Sequence, residues 1–226
     1  MYGLFEARQA IRDKGYVLVT EGYMDVVALA QFGFEQAVAT LGTACTPTHV
    51  QKLLRQTDQV IFSFDGDAAG RRAARRALEA CLPHASDSRT LKFLFLPKEH
   101  DPDSYIREHG HQAFEKLVLD SVPLSQFLVN EVIEGKDLST AEGRARAQFD
   151  AKPLLQAMPV SALRLQLLRQ LAQVTESTVQ EIESLFELQA RVTSKRAATP
   201  AVRRKPPVEL ERQVLRLLLT HPSLAL

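Results

Sequence analysis

The stretch VIFSFDGDAAGRRAARR, residues 60–76, decides how the rest of the chain is read. An apolar β-type run ends in two carboxylates, Asp65 and Asp67, separated by one glycine, and an arginine-rich helical pattern starts at once. Strand, tight turn and helix in direct succession are one step of an α/β chain. The step recurs. YVLVT (16–20), QAVAT (36–40), QVIFSF (59–64) and LKFLFL (91–96) are rich in Val, Ile and Phe and apolar nearly throughout. Strands covered on both faces of a parallel sheet have this composition. Between them MDVVALAQFG, TPTHVQKLLRQ and DAAGRRAARRALEACL have helical period, with Pro47 early in the second and Gly33 placed to stop the first. The expected fold is α/β, a mostly parallel sheet flanked by helices and joined by right-handed crossovers.

After residue 110 strand patterns vanish. QAFEKLVLD, VPLSQFLVNEVIEG, TAEGRARAQFDAKPLLQAM, VSALRLQLLRQLAQV and TESTVQEIESLFELQARV all carry helical spacing, with Ser139 and Thr175 as candidate N-caps. The expected organisation is an α/β domain over 1–110 and a helical subdomain over 111–190. A linker rich in proline and basic residues follows over 191–207, and an amphipathic helix over 208–226.

Composition excludes little by itself. Lys and Arg number 28 against 27 for Asp and Glu, so net charge does not select a partner. No apolar run approaches the roughly 20 residues that span a bilayer, and the N-terminus lacks the basic-then-apolar pattern of a secretory signal. Cys45 and Cys81 are far apart in sequence, without zinc-ligand spacing, and read as buried or half-buried thiols of a reducing cytosol.

Chemistry is concentrated at strand ends. LVTEGYMD places Glu21 after the first strand and Asp25 on the first turn of the next helix. FSFDGD repeats this with Asp65 and Asp67, and FLPKEHDPD follows the fourth strand with Asp101 and Asp103. In an open parallel sheet all the strand C-termini lie along one edge, where such folds bind ligands. Two carboxylates about 4 Å apart repel by roughly 4 kcal/mol at an effective dielectric near 20. A divalent cation removes that cost, and hard oxygen donors select Mg²⁺ or Mn²⁺. Taken alone, Asp25 reads as a first-turn charge complementing a helix dipole. An N-cap role for Asp67 is compatible with metal binding, and the Asp-Pro-Asp of 101–103 is also a turn signal. Helix capping does not explain carboxylates at the strand ends themselves, Glu21 and Asp65.

With these acidic motifs at its strand ends, the chain resembles a Toprim domain. The ordered segments VTEGYMDVVALAQFG, ATLGTACT, FSFDGDAAGRRAARRALE and FLPKEHDPDSYIREHG together resemble the DnaG-type bacterial DNA primases. Residues 111–190 resemble the helical subdomain that follows Toprim in that family. The resemblance implies a cytoplasmic, nucleoid-associated bacterial enzyme that makes short RNA primers on single-stranded DNA from ribonucleoside triphosphates. It implies two or more Mg²⁺ or Mn²⁺ ions held by the acidic cluster. Glu21 would be a metal ligand or general base, Asp65 would be shared between metals, and Asp67 would complete the second site. Asp101 and Asp103 match the third acidic motif and Asp25 the end of the first. The family's zinc module and basic subdomain would precede Met1, so this stretch alone is expected to be weakly active. Residues 208–226 resemble the start of the family's helicase-interacting domain, which makes the replicative helicase an expected partner.

Other features read more plainly. Arg71, Arg72, Arg75 and Arg76 form a basic stripe, by default a solvated face, with Arg71 the candidate for phosphate contact. Gly42 and Thr43 either line the site or make a turn. His109 and His111 read as surface residues without a third ligand, and Tyr23 as a packing residue. Two other functional classes stay open at this point: a Toprim enzyme that cleaves phosphodiesters, and a non-catalytic module that only binds single strands or helicase.

Overall fold

A computed structural model describes residues 1–41, 45–188 and, beyond them, Val214, Leu217, Leu219 and Thr220. Residues 1–188 form one compact unit and 189–226 a second. The expected linker, most of the terminal helix, and Gly42 and Thr43 lie outside the described residues; the four described in the second unit are helical.

The first unit opens with helix α1 (Arg8–Lys14). Four parallel strands then alternate with helices: β1 (Val17–Thr20), α2 (Tyr23–Gln31), β2 (Ala37–Ala39), α3 (Pro47–Leu53), β3 (Gln59–Phe64), α4 (Ala68–Cys81) and β4 (Thr90–Phe95). Next come α5 (Pro102–Leu119), a short β5 (Val122–Pro123), α6 (Leu124–Ile133), α7 (Ala141–Ala157), α8 (Ala162–Val174) and α9 (Val179–Leu185). The sheet order is β2-β1-β3-β4-β5, with only β5 antiparallel. Four of the strands fall where the apolar runs predict them. Helix α1 and strand β5, the latter two residues long and half proline, are additions to the expected pattern, and α5 starts at Pro102, ahead of the helical part expected from 111.

Period-2 alternation sorts the strand side chains onto two faces. Val17, Val19, Val60, Phe62, Phe64, Leu91 and Phe93 join a core with α3, α4 and the later helices. Leu18, Ala37, Ala39, Ile61 and Leu94 face the other way, onto α2 and α5. Both faces are therefore dry, which is why the strands are apolar throughout. Phe93 packs on Phe62 with ring centroids 5.7 Å apart and on Phe127 of α6 at 4.7 Å, tying sheet to helical part. Helix α5 runs through residue 110, kinked where Gly110 takes φ 78°.

Two cap assignments need correction. The N-cap of α7 is Thr140, whose hydroxyl accepts the Gly143 N–H at 3.1 Å, while Ser139 is turned to Asp137. The N-cap of α9 is Thr178, in a reciprocal pair with Glu181, and Thr175 instead closes α8. In each case a hydroxyl one to three residues further along reaches the free N–H groups of the first turn.

Candidate metal centre

Register sets the site. Thr20 pairs with Ala39, Val19 with Phe62 and Phe64 with Phe95. Glu21, Asp65 and the 97–101 turn therefore leave the sheet along a single edge. Gly66 is what lets two of these segments meet: a Cβ there would be driven into the carbonyls of Pro97 and Leu96. Gly70 is confined in the same way by the Asp65 carbonyl. The Asp-Gly-Asp-x-x-Gly spacing is thus a packing requirement as much as a ligand pattern.

Each carboxylate has its own setting. Asp67 caps α4, accepting the Gly70 N–H at 2.6 Å. Asp101 caps α5, accepting the Ser104 N–H at 2.7 Å. Asp25 accepts the Gly22 N–H at 3.1 Å and also the backbone N–H of Asp103. The Asp103 side chain pairs with Arg107 one turn along its helix. Glu21 is exposed and Asp65 half-buried.

Their charges act on one another. Although Glu21 is exposed as a residue, the protein around its carboxyl displaces part of its water and raises it above its usual range, and Asp65 and Asp67 raise it further. Burial also raises Asp65, with Asp101 and Asp67 adding to it. Asp25 is pushed up to about 6, by burial first and then, against the Gly22 N–H, by Asp101 and Asp65. Asp101 goes the other way: burial pushes it up, but the N–H and hydroxyl of Ser104 outweigh that and hold it low. Five acids, Glu21, Asp25, Asp65, Asp67 and Asp101, thus share one repulsive field. Among the described residues no three of them close to within 4.8 Å of one another, the spacing expected of charges that repel.

Beside this edge lies a cleft of about 340 Å³ lined by Thr20, Glu21, Ser63, Arg72 and Arg76 among others. The Ser63 hydroxyl is buried there without a hydrogen-bond partner among the described residues. Arg71 turns to the opposite side of α4, its guanidinium 4.1 Å above the Phe95 ring. Of the basic stripe it is therefore Arg72 and Arg76 that share the cleft with Glu21. Tyr23 is half-exposed and meets Tyr2 edge-on at 6.0 Å. His111 stacks on Phe34 at 4.7 Å, so it parts company with His109. Cys81 is buried and Cys45 half-buried, both free thiols.

A family model described as Toprim-like matches residues 18–106, and one for the DnaB-helicase binding domain of primase matches residues 125–180. Fold and matches together define a Toprim-type α/β domain followed by helices. The chain is 45% identical over 232 residues to the DNA primase of Neisseria meningitidis serogroup B, across 100% of its own length and 39% of the relative. A crystal structure of a DNA primase domain from Pseudomonas aeruginosa superposes with a TM-score of 0.79 at 43% identity, covering 82% of this chain and 58% of that one. The DnaG primase catalytic domain bound to single-stranded DNA gives 0.75 at 46% identity, covering 80% and 57%. This chain belongs to the DnaG-type bacterial DNA primase family and corresponds to its Toprim-containing core. It spans about two fifths of the length of the curated relatives it matches.

Proposed function

We propose that this chain is the metal-binding core of a primase, an enzyme that joins ribonucleoside triphosphates into short RNA primers on single-stranded DNA. The observation that carries the reading is the mutual charging of Glu21, Asp65, Asp67 and Asp101 at one sheet edge. The donor set fits the metal the family implies, since every donor is a carboxylate oxygen, the choice of Mg²⁺ or Mn²⁺ over softer ions. Glu21, Asp65 and Asp67 would hold it, with Asp101 and Asp25 at the rim. Asp103 contributes its backbone N–H to Asp25, and its carboxylate would have to leave Arg107 to join. When bound, two such cations supply charge neutralisation at a transferring phosphoryl group.

The chain's own residues do the rest. Glu21, with its raised affinity for a proton, is the group placed to accept one from an attacking hydroxyl. Arg72 and Arg76 line the adjoining cleft and would meet phosphate oxygens that the acids alone would repel. The replicative helicase is the proposed partner. The match of residues 125–180 to the DnaB-helicase binding domain of primase supports this, and the contact would extend to the helix expected over 208–226. The domain division 1–110, 111–190, 191–207 and 208–226 is kept as part of this proposal, as is a cytoplasmic, nucleoid-associated location. No helix among the described residues is long and apolar enough to cross a membrane.

The test is incubation with labelled single-stranded DNA, ribonucleoside triphosphates and Mn²⁺. A chain extended at the N-terminus to the length of the relatives should extend primers, and the 226 residues alone should do so weakly or not at all. Positioning of template, triphosphate and metal together supplies most of the rate in such a reaction, and an acidic edge by itself repels two of the three. Strand cleavage in place of extension, or binding without either, by the extended chain would overturn the reading.

A further inference from the structure

The one trio of ligand atoms among the described residues that closes to within 4.8 Å is not on the acidic edge: it is formed by His100, Glu108 and His109. His100 Nε2 lies 4.0 Å from one oxygen of Glu108, and His109 Nε2 lies 3.8 Å from the other. His100 comes from the turn before α5 and the other two from its third turn, just ahead of the Gly110 kink. Tyr105 packs against both imidazoles, with centroids at 5.4 Å and 4.5 Å, and so holds the rings side by side.

His100 is also held from its other ring nitrogen. Ser104 Oγ donates its proton to the Asp101 carbonyl at 3.1 Å and accepts the Asp101 N–H at 3.0 Å. At its 3.4 Å contact with His100 Nδ1 the hydroxyl has only a lone pair left to offer. A hydrogen on Nδ1 is compatible with that contact and would leave Nε2 a bare lone pair toward Glu108 and His109. A ring nitrogen fixed in this way by a hydrogen bond through its other nitrogen is the arrangement that prepares histidine for a metal.

We propose that His100, Glu108 and His109 form a separate transition-metal site, selective for Zn²⁺ over Mg²⁺ because two of its three donors are imidazole nitrogens. Tetrahedral Zn²⁺ with bonds near 2.0–2.1 Å needs donors roughly 3.3 Å apart. The trio must close by at most about 1.5 Å, which takes a small turn of the half-exposed His109 ring as well as movement of the Glu108 side chain, 64% exposed. Solvent water takes the fourth position. The bound ion would tie the third turn of α5 to the turn that presents Asp101, giving the acidic edge a neighbour that responds to zinc.

The full chain should be titrated with Co²⁺, followed by its visible absorption, and then with Zn²⁺ to displace it. The proposal expects one nitrogen-ligated Co²⁺ site, preserved in Asp65→Asn and lost in His109→Ala and in Glu108→Gln. Ser104→Ala removes the outer hydrogen bond, together with the hydroxyl's contacts to the Asp101 backbone, and should weaken binding roughly 10–100-fold while leaving both histidines in place. Excess Mg²⁺ should not compete. The proposal is overturned if both ligand variants bind Co²⁺ like the natural chain, or if the signal disappears in Asp65→Asn or under Mg²⁺. Circular dichroism separates loss of the site from loss of the fold.

Discussion

Asp65→Asn should bind Mn²⁺ at least roughly 100-fold more weakly than the natural chain, a first-contact donor being worth no less than an outer-shell one. Without metal, the same variant should melt at a higher temperature. Both effects have one cause. Burial, Asp101 and Asp67 all oppose the charge on Asp65, so its carboxyl is raised in the folded protein. A group whose folded value is raised favours folding when protonated, below its unfolded value, and that contribution is lost as pH rises through the folded value. At pH 7.5 the ionised Asp65 therefore works against the metal-free fold, and the neutral, nearly isosteric amide removes the strain. The sign reverses for binding. Metal needs the carboxylates ionised, so affinity should begin to fall as pH drops through about 6, where Asp25 takes up its proton. An isolated carboxylate would take up its proton only near pH 4. Calorimetric titration from pH 8 to pH 5 and a melting curve in chelator check the two halves. Equal affinity in the variant, or a lower melting point without metal, contradicts this account of the edge.

Gly66→Ala should destabilise the chain by about 3 kcal/mol, or roughly 6–12 °C in melting temperature. The added methyl group meets backbone, the carbonyls of Pro97 and Leu96, rather than a side chain that can swing aside. Either the strand-to-helix turn after β3 or the turn after β4 must give way. Because Asp65 and Asp67 flank the glycine and Asp101 lies just beyond the displaced turn, Mn²⁺ affinity should fall with the stability. A variant that melts like the natural chain would show that the two turns are not packed as described.

Much of this was legible in the sequence for definite reasons. Strands buried on both faces spell themselves out as unbroken runs such as VIFSF, and the starts of α3 and α4 follow from Pro47 and Asp67, whereas the Asp-Pro-Asp of 101–103 read as a turn and hid the start of α5. Because a parallel sheet has one C-terminal edge, Glu21 and Asp65 are brought to the same edge without any knowledge of register. What stayed hidden depends on distances the sequence does not contain. Asp103 has Arg107 four residues on, a spacing visible in advance, but the Asp25 carboxylate taking the Asp103 N–H is a tertiary event. The side of α4 that each arginine serves is set by Phe95 on one flank and the Ser63 cleft on the other, so Arg71 drew notice that belongs to Arg72 and Arg76. His109 looked paired with His111 by proximity in sequence, yet the Gly110 kink sends His111 to Phe34 and leaves His109 with His100. The two-residue β5 lies below any periodic signal.

The most direct test of the central claim is anomalous diffraction from a crystal of this chain grown with Mn²⁺ and a nucleoside triphosphate. The account predicts a manganese peak within bonding distance of an Asp65 carboxylate oxygen, with Glu21 or Asp67 as a second donor. Manganese absent from that edge, or found only at His100, Glu108 and His109, would contradict it.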